Sequence, residues 1–323
     1  MLYKQVSFPG FGIGPVDLNP DILSIGSLSI KWYAVFIVSG ILFAILYVYF
    51  RSRRLGFLLD DMLDMALVIV FPAIVCARLY YVIFKKLEDP SLYTTFWEII
   101  DIRSGGLAIY GGLIGGALLT MLMVHVKKVR LSTLLDLMAP GVMVAQALGR
   151  WGNFVNVEAF GGETTLPWRM GIIQNGVWTY VHPTFLYESL WNLIGFALIL
   201  IFEKKKKYDG EIVLFYLAWY GFGRMWIEGL RTDSLYIGST GIRVSQLVAA
   251  LCFIGATAAL VFFRIRIKEL HIASNIYRED AKHFALAEKE IAAYQEKTAL
   301  RRKKRAEKKK ERQNARAAAR DRK

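Results

Sequence analysis

Long apolar blocks, separated by short polar stretches, constrain this chain more than any other feature. The 323 residues are 55% hydrophobic, and the apolar residues cluster instead of recurring at core spacing. A bilayer core of about 30 Å needs about 20 apolar residues per helix, which these blocks match. Backbone polar groups cannot stay unpaired in lipid, so the blocks are predicted to be helices. Seven spans follow: Trp32–Phe50, Met65–Phe84, Leu107–Val126, Leu131–Leu148, Thr184–Phe202, Ile212–Ile227 and Val244–Phe263. The expected fold class is an all-α integral membrane protein of seven transmembrane helices.

Basic residues orient the spans. Arg51, Arg53 and Arg54 follow span 1; Lys127, Lys128 and Arg130 follow span 3; Lys204 to Lys207 follow span 5. All three loops and the chain after span 7 fall on one side, assigned to the cytoplasm. The amino terminus and the loops 85–106, 150–183 and 229–243 then face outward, with Lys85, Lys86 and Arg103 slightly against the trend. Residues 264–323 hold 20 Lys/Arg against 9 Asp/Glu, so +11 of the formal +14 is a tail. Residues 1–265 are expected to form the membrane domain and 266–323 a basic cytoplasmic tail, helical and then disordered. The tail reads as a solvated charged end, with attachment to anionic headgroups or RNA as the alternative. No cleavable signal peptide is evident at the start. Cys76 and Cys252 lie inside apolar blocks and read as small core hydrophobes.

Spans 1 and 7 contain no acid or base. The middle spans carry Arg78, Asp136, Glu188 and Arg224, with Glu228 just beyond the sixth. A charge at mid-membrane costs at least about 2.5–3.5 kcal/mol, so these groups face protein or a wet cavity. The five middle spans are therefore expected to surround a central lipid-binding cavity, although a simple internal pair such as Arg78 with Asp136 would also explain two of the charges.

Two arginine-bearing clusters fall at the outer interface. Arg150, Asn153, Asn156 and Glu158 follow span 4 at spacings that bring them together if the helix continues or turns. Tyr220, Arg224 and Glu228 are four apart on one helical face, with Arg231 three further on. A guanidinium matches a phosphate with paired donors. Lipid phosphate chemistry at the outer leaflet is one reading, and transport of an anionic solute is the other. In span 3, Gly105, Gly106, Gly111, Gly112, Gly115 and Gly116 indicate tight packing or a surface for acyl chains or peptide.

The run Gly149-Arg150-Trp151-Gly152-Asn153-Phe154-Val155-Asn156-Val157-Glu158-Ala159-Phe160-Gly161 resembles the signature of phosphatidylglycerol–prolipoprotein diacylglyceryl transferases. Collinear stretches also resemble that family: Lys31-Trp32-Tyr33, Ala77-Arg78-Leu79-Tyr80, Tyr110-Gly111-Gly112-Leu113-Ile114-Gly115, Asp136, His182-Pro183-Thr184 with Tyr187-Glu188, and Tyr220, Arg224, Glu228, Arg231. The resemblance runs from about residue 20 to about 265. It implies transfer of diacylglycerol from phosphatidylglycerol to the lipobox cysteine of a prolipoprotein signal peptide. A thioether forms, glycerol phosphate leaves, and no metal, cofactor or nucleic acid is needed. It places the protein in the bacterial cytoplasmic membrane as a multi-pass enzyme, with its active site toward the outer face and a head built from the outer loops.

The resemblance makes Arg150 and Arg224 the phosphate clamps. Fixed positive donors are what a developing phosphate dianion requires. Asn153 and Asn156 would hold headgroup oxygens or the turn, Glu158 and Glu228 would position arginines or glycerol hydroxyls, Tyr33 and Tyr220 would line the site with Arg231 beside them, and Gly161 would be a backbone requirement. Well-known members have histidine where this chain has Tyr110. A tyrosine, with a reference pKa near 10, is a poorer base for a thiol. Tyr110 would then orient the thiol, with His182, the one outer-side histidine, as the candidate base. Alternatively no side-chain base is needed, if arginines lower the thiol pKa.

Overall fold

The computed structural model describes residues 4–25, 28–52, 59–102, 105–234, 236 and 240–269, with positions 296, 300, 303, 304, 306 and 307 of the tail. Expectations for Arg53, Arg54, Arg103 and the rest of the tail beyond 269 fall outside the described residues. In chain order the elements are β1 (Lys4–Phe8), β2 (Ile13–Leu18), β3 (Asp21–Ile25), β4 (Leu28–Lys31), α1 (Trp32–Ser52), α2 (Leu59–Glu88), α3 (Phe96–Ile100), α4 (Ile109–Lys127), α5 (Leu131–Val155), β5 (Met170–Gln174), β6 (Val177–Val181), α6 (Thr184–Phe202), α7 (Glu211–Leu230) and α8 (Val244–Glu269).

Each of the seven apolar blocks lies on a helix. Six of these helices are long and apolar enough to cross a membrane. The chain is thus a mostly helical, multi-pass membrane protein. α7 is not among the six, because Arg224 and Glu228 interrupt its apolar run.

Two compact units divide the chain: Met1–Val48 with Arg130–Ile276, and Tyr49–Val129 with Tyr277–Lys323. In the first, a four-stranded antiparallel sheet of order β2-β1-β5-β6 joins the amino-terminal strands β1 and β2 to β5 and β6 of the loop 150–183. Val6, Met170, Ile172 and Val181 project from one sheet face onto Phe185, with Phe154, Val157 and Phe160 packed against them. Strand alternation explains the division, since Gln5 and Ser7 fall on the opposite face. The sheet is thereby seated on the end of α5 and the start of α6. β3 and β4 form a separate hairpin that leads into α1.

The helices of this unit pack by close approach. Between lipid-exposed helices there is little hydrophobic drive, so small residues and dispersion decide the fit. A Cβ at Gly40 would lie 2.9 Å from the Cα of Ala145, and one at Gly141 3.0 Å from the Cα of Ala44. α6 and α7 are joined by stacked indoles of Trp191 and Trp219, with centroids 4.3 Å apart. Each indole N–H donates to the other residue's carbonyl at 2.9 Å.

Asp136 has a local task. Its Oδ1 accepts from the backbone N–H of Val213 and its Oδ2 from that of Gly210, both at 2.8 Å, while Lys206 Nζ lies 2.9 Å from Oδ2. The first turn of any helix has unpaired N–H groups. Gly210 at the N-cap of α7 has no side chain to satisfy them, so a carboxylate from α5 does so.

In the second unit α2 and α4 pack face to face. A Cβ at Gly111 would collide with the Tyr80 side chain and the Cys76 carbonyl, and one at Gly115 with the Cys76 side chain, so these two glycines serve tight packing, whereas Gly112 and Gly116 leave room for a Cβ. Arg78, 4% exposed, donates to the carbonyls of Glu98, Ile99, Gly105 and Gly106 at 2.7–3.0 Å and lies over the Tyr81 and Tyr93 rings. α3 is held by a capping box of Thr95 and Glu98. Lys127 ties the end of α4 to Asp61 and Asp64 at 2.7 and 2.6 Å. The Arg78–Asp136 pair is therefore corrected: each charge is consumed by backbone groups that sequence spacing does not reveal.

Asp136→Ala leaves the α7 N–H groups without their acceptor and Lys206 with Asp209 as its one remaining carboxylate. It should lower unfolding stability by about 3–5 kcal/mol, the cost of breaking a buried pair. Asp136→Asn keeps an acceptor and should cost less. Thermal unfolding of the purified protein in detergent checks this, and equal midpoints for wild type and both variants would rule out the trans-cap.

Candidate active site

Three helix ends meet around one carboxylate. α5 carries Arg150, α6 carries Glu188 in its first turns, and α7 carries Arg224 and Glu228 in its last turns. Arg150 grips Glu188 with two groups, Nε to Oε2 at 2.6 Å and Nη2 to Oε1 at 2.9 Å. Arg224 Nη1 reaches the same Oε1 at 2.8 Å, and its Nη2 lies 2.5 Å from Glu228 Oε2. The spacing of four within α7 makes the second pair possible. The carboxylate side chains are almost wholly buried, at 4% and 3% exposure, whereas Arg150 and Arg224 keep 20% and 13%. Two positive and two negative groups balance. Arg224 Nε–H has no partner among the described residues, so donors remain for a ligand. The Tyr220 hydroxyl lies within electrostatic reach of Glu188, Arg224 and Arg150.

A second set follows the end of α5, where the helix continues to Val155 as the spacing requires. Arg150 Nη1 donates to Asn153 Oδ1 at 3.1 Å. Asn153 Nδ2 and Asn156 Nδ2 donate to Glu158 Oε1 at 2.9 and 3.3 Å. Lys4 from β1 donates to the Asn156 carbonyl. Glu158 lies between two residues in left-handed backbone, Val157 (φ 47°) and Ala159 (φ 57°). Such a conformation is unfavourable for a β-branched residue. The turn is held from outside: Thr184 Oγ1 donates to the Ala159 carbonyl at 2.5 Å, and Val157 packs into the sheet core. Tyr33 on α1 packs on Gly152, close enough to Arg150 and Glu158 to feel both charges.

Gly161 is a backbone requirement in this structure. A Cβ there would lie 2.7 Å from His182 Cβ and 3.1 Å from the Leu230 carbonyl. Its N–H donates to the His182 carbonyl, and it bridges to Arg231. Arg231 departs from the helical face expected of it. α7 has ended there, the backbone is extended, and the guanidinium takes both oxygens of Asp233 at 2.9 and 2.7 Å. That pairing holds the Asp233 carboxyl below its usual range. Glu228 is further fixed by Ser234, whose hydroxyl donates to Oε1 at 2.8 Å, and its carbonyl accepts from Arg243.

His182 does not touch the arginines. Trp168 Nε1 donates to the Tyr187 hydroxyl at 2.7 Å, and that hydroxyl lies 3.2 Å from His182 Nδ1. An indole N–H can only donate, so the tyrosine's own hydrogen is left for Nδ1. Network logic thus assigns the neutral imidazole its hydrogen on Nε2. Burial lowers the His182 pKa.

The structure brings together Arg150, Asn153, Asn156, Glu158, Tyr33, Tyr220, Arg224 and Glu228. His182, Gly161 and Arg231 stand beside this group, and Tyr110, 46% exposed in the first turn of α4, belongs to the other compact unit. Sequence reasoning omitted Glu188 from the site, although its costly charge in an apolar block was the signal. Among the described residues no cluster of three or more His, Cys, Asp or Glu could hold a metal ion. What the arrangement offers is a pair of partly exposed guanidiniums and a chain of amides ending on a carboxylate.

Residues 20–262 match the family profile described as prolipoprotein diacylglyceryl transferase. Proteins from Streptococcus pneumoniae strains Spain 23F-1 and Taiwan19F-14, each named phosphatidylglycerol–prolipoprotein diacylglyceryl transferase, are 47% identical to this chain over 258 residues. That stretch covers 78% of this chain and 96% of each relative. Every site residue from Tyr33 to Arg231 lies within the matched segment, and the chain belongs to the prolipoprotein diacylglyceryl transferase family.

Proposed function

We propose that the protein transfers the sn-1,2-diacylglyceryl group of phosphatidylglycerol to the lipobox cysteine thiol of prolipoproteins, the first step of lipoprotein maturation. The observation that carries this reading is the meeting of Arg150 and Arg224 on one carboxylate, Glu188. The thiol sulfur attacks the lipid's terminal glycerol carbon, a thioether forms, and glycerol phosphate departs with a second negative charge. Positioned guanidinium donors stabilise that charge as it develops, in a site poor in water. Their remaining N–H groups take the phosphate oxygens without Glu188 having to leave. Tyr33 and Tyr220 line the lipid's path, Tyr110 orients the thiol, and Arg231 braces the turn at Gly161. Family membership weighs against the anionic-solute transporter.

In the same reading residues 1–265 form a transferase domain with seven spans, α7 included, around a lipid-binding cavity. Its amino terminus and sheet-bearing head face outward and the basic tail from 266 is cytoplasmic, in the cytoplasmic membrane of a bacterium. The support is the basic residues Arg130 and Lys204 to Lys207, which fall at the ends of α5, α6 and α7 away from Arg150, Glu188 and Arg224.

His182 acts in this scheme as a donor through Nε2–H, because its Nδ1 is engaged by Tyr187. Burial disfavours the charged ring. The folded state therefore favours the neutral ring, and the unfolded chain protonates first as pH falls below about 6.5. Stability from this group is complete above that pH and is lost as pH drops from there toward the lowered folded value. His182→Gln should flatten that part of the melting-temperature profile between pH 7 and 5, and an identical profile for wild type and variant would remove the assignment.

Membranes or vesicles with labelled phosphatidylglycerol and a lipobox peptide test the function. Label should pass to the Cys peptide and not to its Cys→Ser version; no transfer under any condition would overturn the reading. Arg150→Lys keeps the charge but loses the two-pronged geometry. It should lower kcat/KM by about a hundredfold or more, as loss of a transition-state donor does. Glu188→Gln should lower both activity and stability, the latter by about 3–5 kcal/mol, because a buried ion-pair junction loses the counter-charge that two partly buried guanidiniums share. A Glu188→Gln enzyme with wild-type melting temperature would show that the bridge is dispensable.

A further inference from the structure

The transfer leaves one step without an owner. A thiol must lose its proton as the carbon–sulfur bond forms; His182 stands apart from the arginines with Nδ1 against the Tyr187 hydroxyl, and Tyr110 belongs to the other compact unit. We infer that Glu158 accepts that proton through its Oε2; this rests on the function proposed above.

The geometry singles out this carboxylate. Oε1 is pinned by two amides, Asn153 Nδ2 and Asn156 Nδ2, while Oε2 has no hydrogen-bond partner among the described residues. The other acids of the site are committed: Glu188 to two guanidiniums, and Glu228 to Arg224 and Ser234. Asn153 also accepts from Arg150 Nη1, so the open oxygen stands one amide away from the phosphate clamp. Glu158 itself is exposed, so an incoming peptide can reach it. Left-handed backbone at Val157 and Ala159 aims it there, and strain of this kind collects at functional positions. The charged and titratable groups around it are Tyr33 from α1, Arg150 from α5 and Lys4 from β1, the last holding the Asn156 carbonyl.

The step balances. The S–H bond breaks and its proton moves to Glu158 Oε2. The sulfur electron pair forms the bond to the glycerol carbon, and the carbon–oxygen pair leaves with the phosphate. Phosphatidylglycerol, thiol and carboxylate together carry two negative charges before the step, and the glycerol phosphate dianion carries two afterwards. The carboxylic acid then returns its proton to water or to the departing phosphate, whose second pKa is about 6.

Glu158→Gln keeps the carbonyl that both asparagines need and removes only the basic oxygen. Reconstituted with phosphatidylglycerol vesicles and a lipobox peptide, it should lose about a hundredfold in kcat/KM at pH 7, with KM for lipid unchanged. The variant must wait for free thiolate, so its deficit should shrink about tenfold per pH unit toward the thiol pKa of about 8.5. A selenocysteine peptide, already ionised at neutral pH, should erase the difference. Glu158→Asp should recover part of the rate with the wild-type pH profile. A deficit that is the same at every pH and with selenocysteine would make Glu158 a positioning residue and overturn the assignment. So would wild-type turnover that simply follows the thiolate fraction, a measurement that needs no variant to fold. Wild-type enzyme that transfers nothing to any lipobox peptide would instead overturn the functional reading, and this assignment with it.

Discussion

Two guanidiniums cannot share a buried site unaided, since like charges repel strongly where the dielectric is low. Glu188 makes the pairing of Arg150 and Arg224 possible, and it does so from a third helix. The consequence reaches beyond charge. In lipid the apolar faces of helices gain little by meeting each other, so an ionic junction among α5, α6 and α7 fixes what hydrophobicity cannot. Because the junction is electrically balanced, it persists without a ligand and still presents unused N–H groups.

Buried charges in this chain fall into two kinds, and the distinction is chemical. Arg78 and Asp136 hold backbone groups, one gathering four carbonyls and the other capping a glycine-started helix with Lys206 as its counter-charge. They convert the polar ends of chain segments into fixed joints. Arg150 and Arg224 are instead paired with side chains and retain exposure. An ionisable residue inside a membrane protein is thus informative about function only once its partners are known.

Much of this was legible in the residues. Apolar block length located the helices, and the spacing of Arg150, Asn153 and Asn156 fitted a helix that runs on past its apolar part. The four-residue step from Arg224 to Glu228 located that pair. Partnerships over long separations were not legible, which is why Glu188 was seen as a cost and not as a member of the site. Arg231 was misplaced because helical spacing was carried past Leu230, where α7 stops. The sheet was hidden in segments rich in Gly and Pro, although Asn175-Gly176, a residue pair suited to a tight hairpin, sits between β5 and β6 with φ of 51° and 80°. β1 was harder still, since it pairs with a strand more than 150 residues away.

The reciprocal tryptophans of α6 and α7 bear on how large substrates are admitted. Sliding one helix along the other by a turn, about 5.4 Å, would break two indole–carbonyl bonds and unstack the rings together. Glu188 lies three positions before Trp191, and Arg224 five after Trp219. The clasp therefore keeps acid and guanidinium in step along the membrane normal. Parting the seam between these two helices would break the same bonds, so the clasp holds α6 and α7 together as one plate.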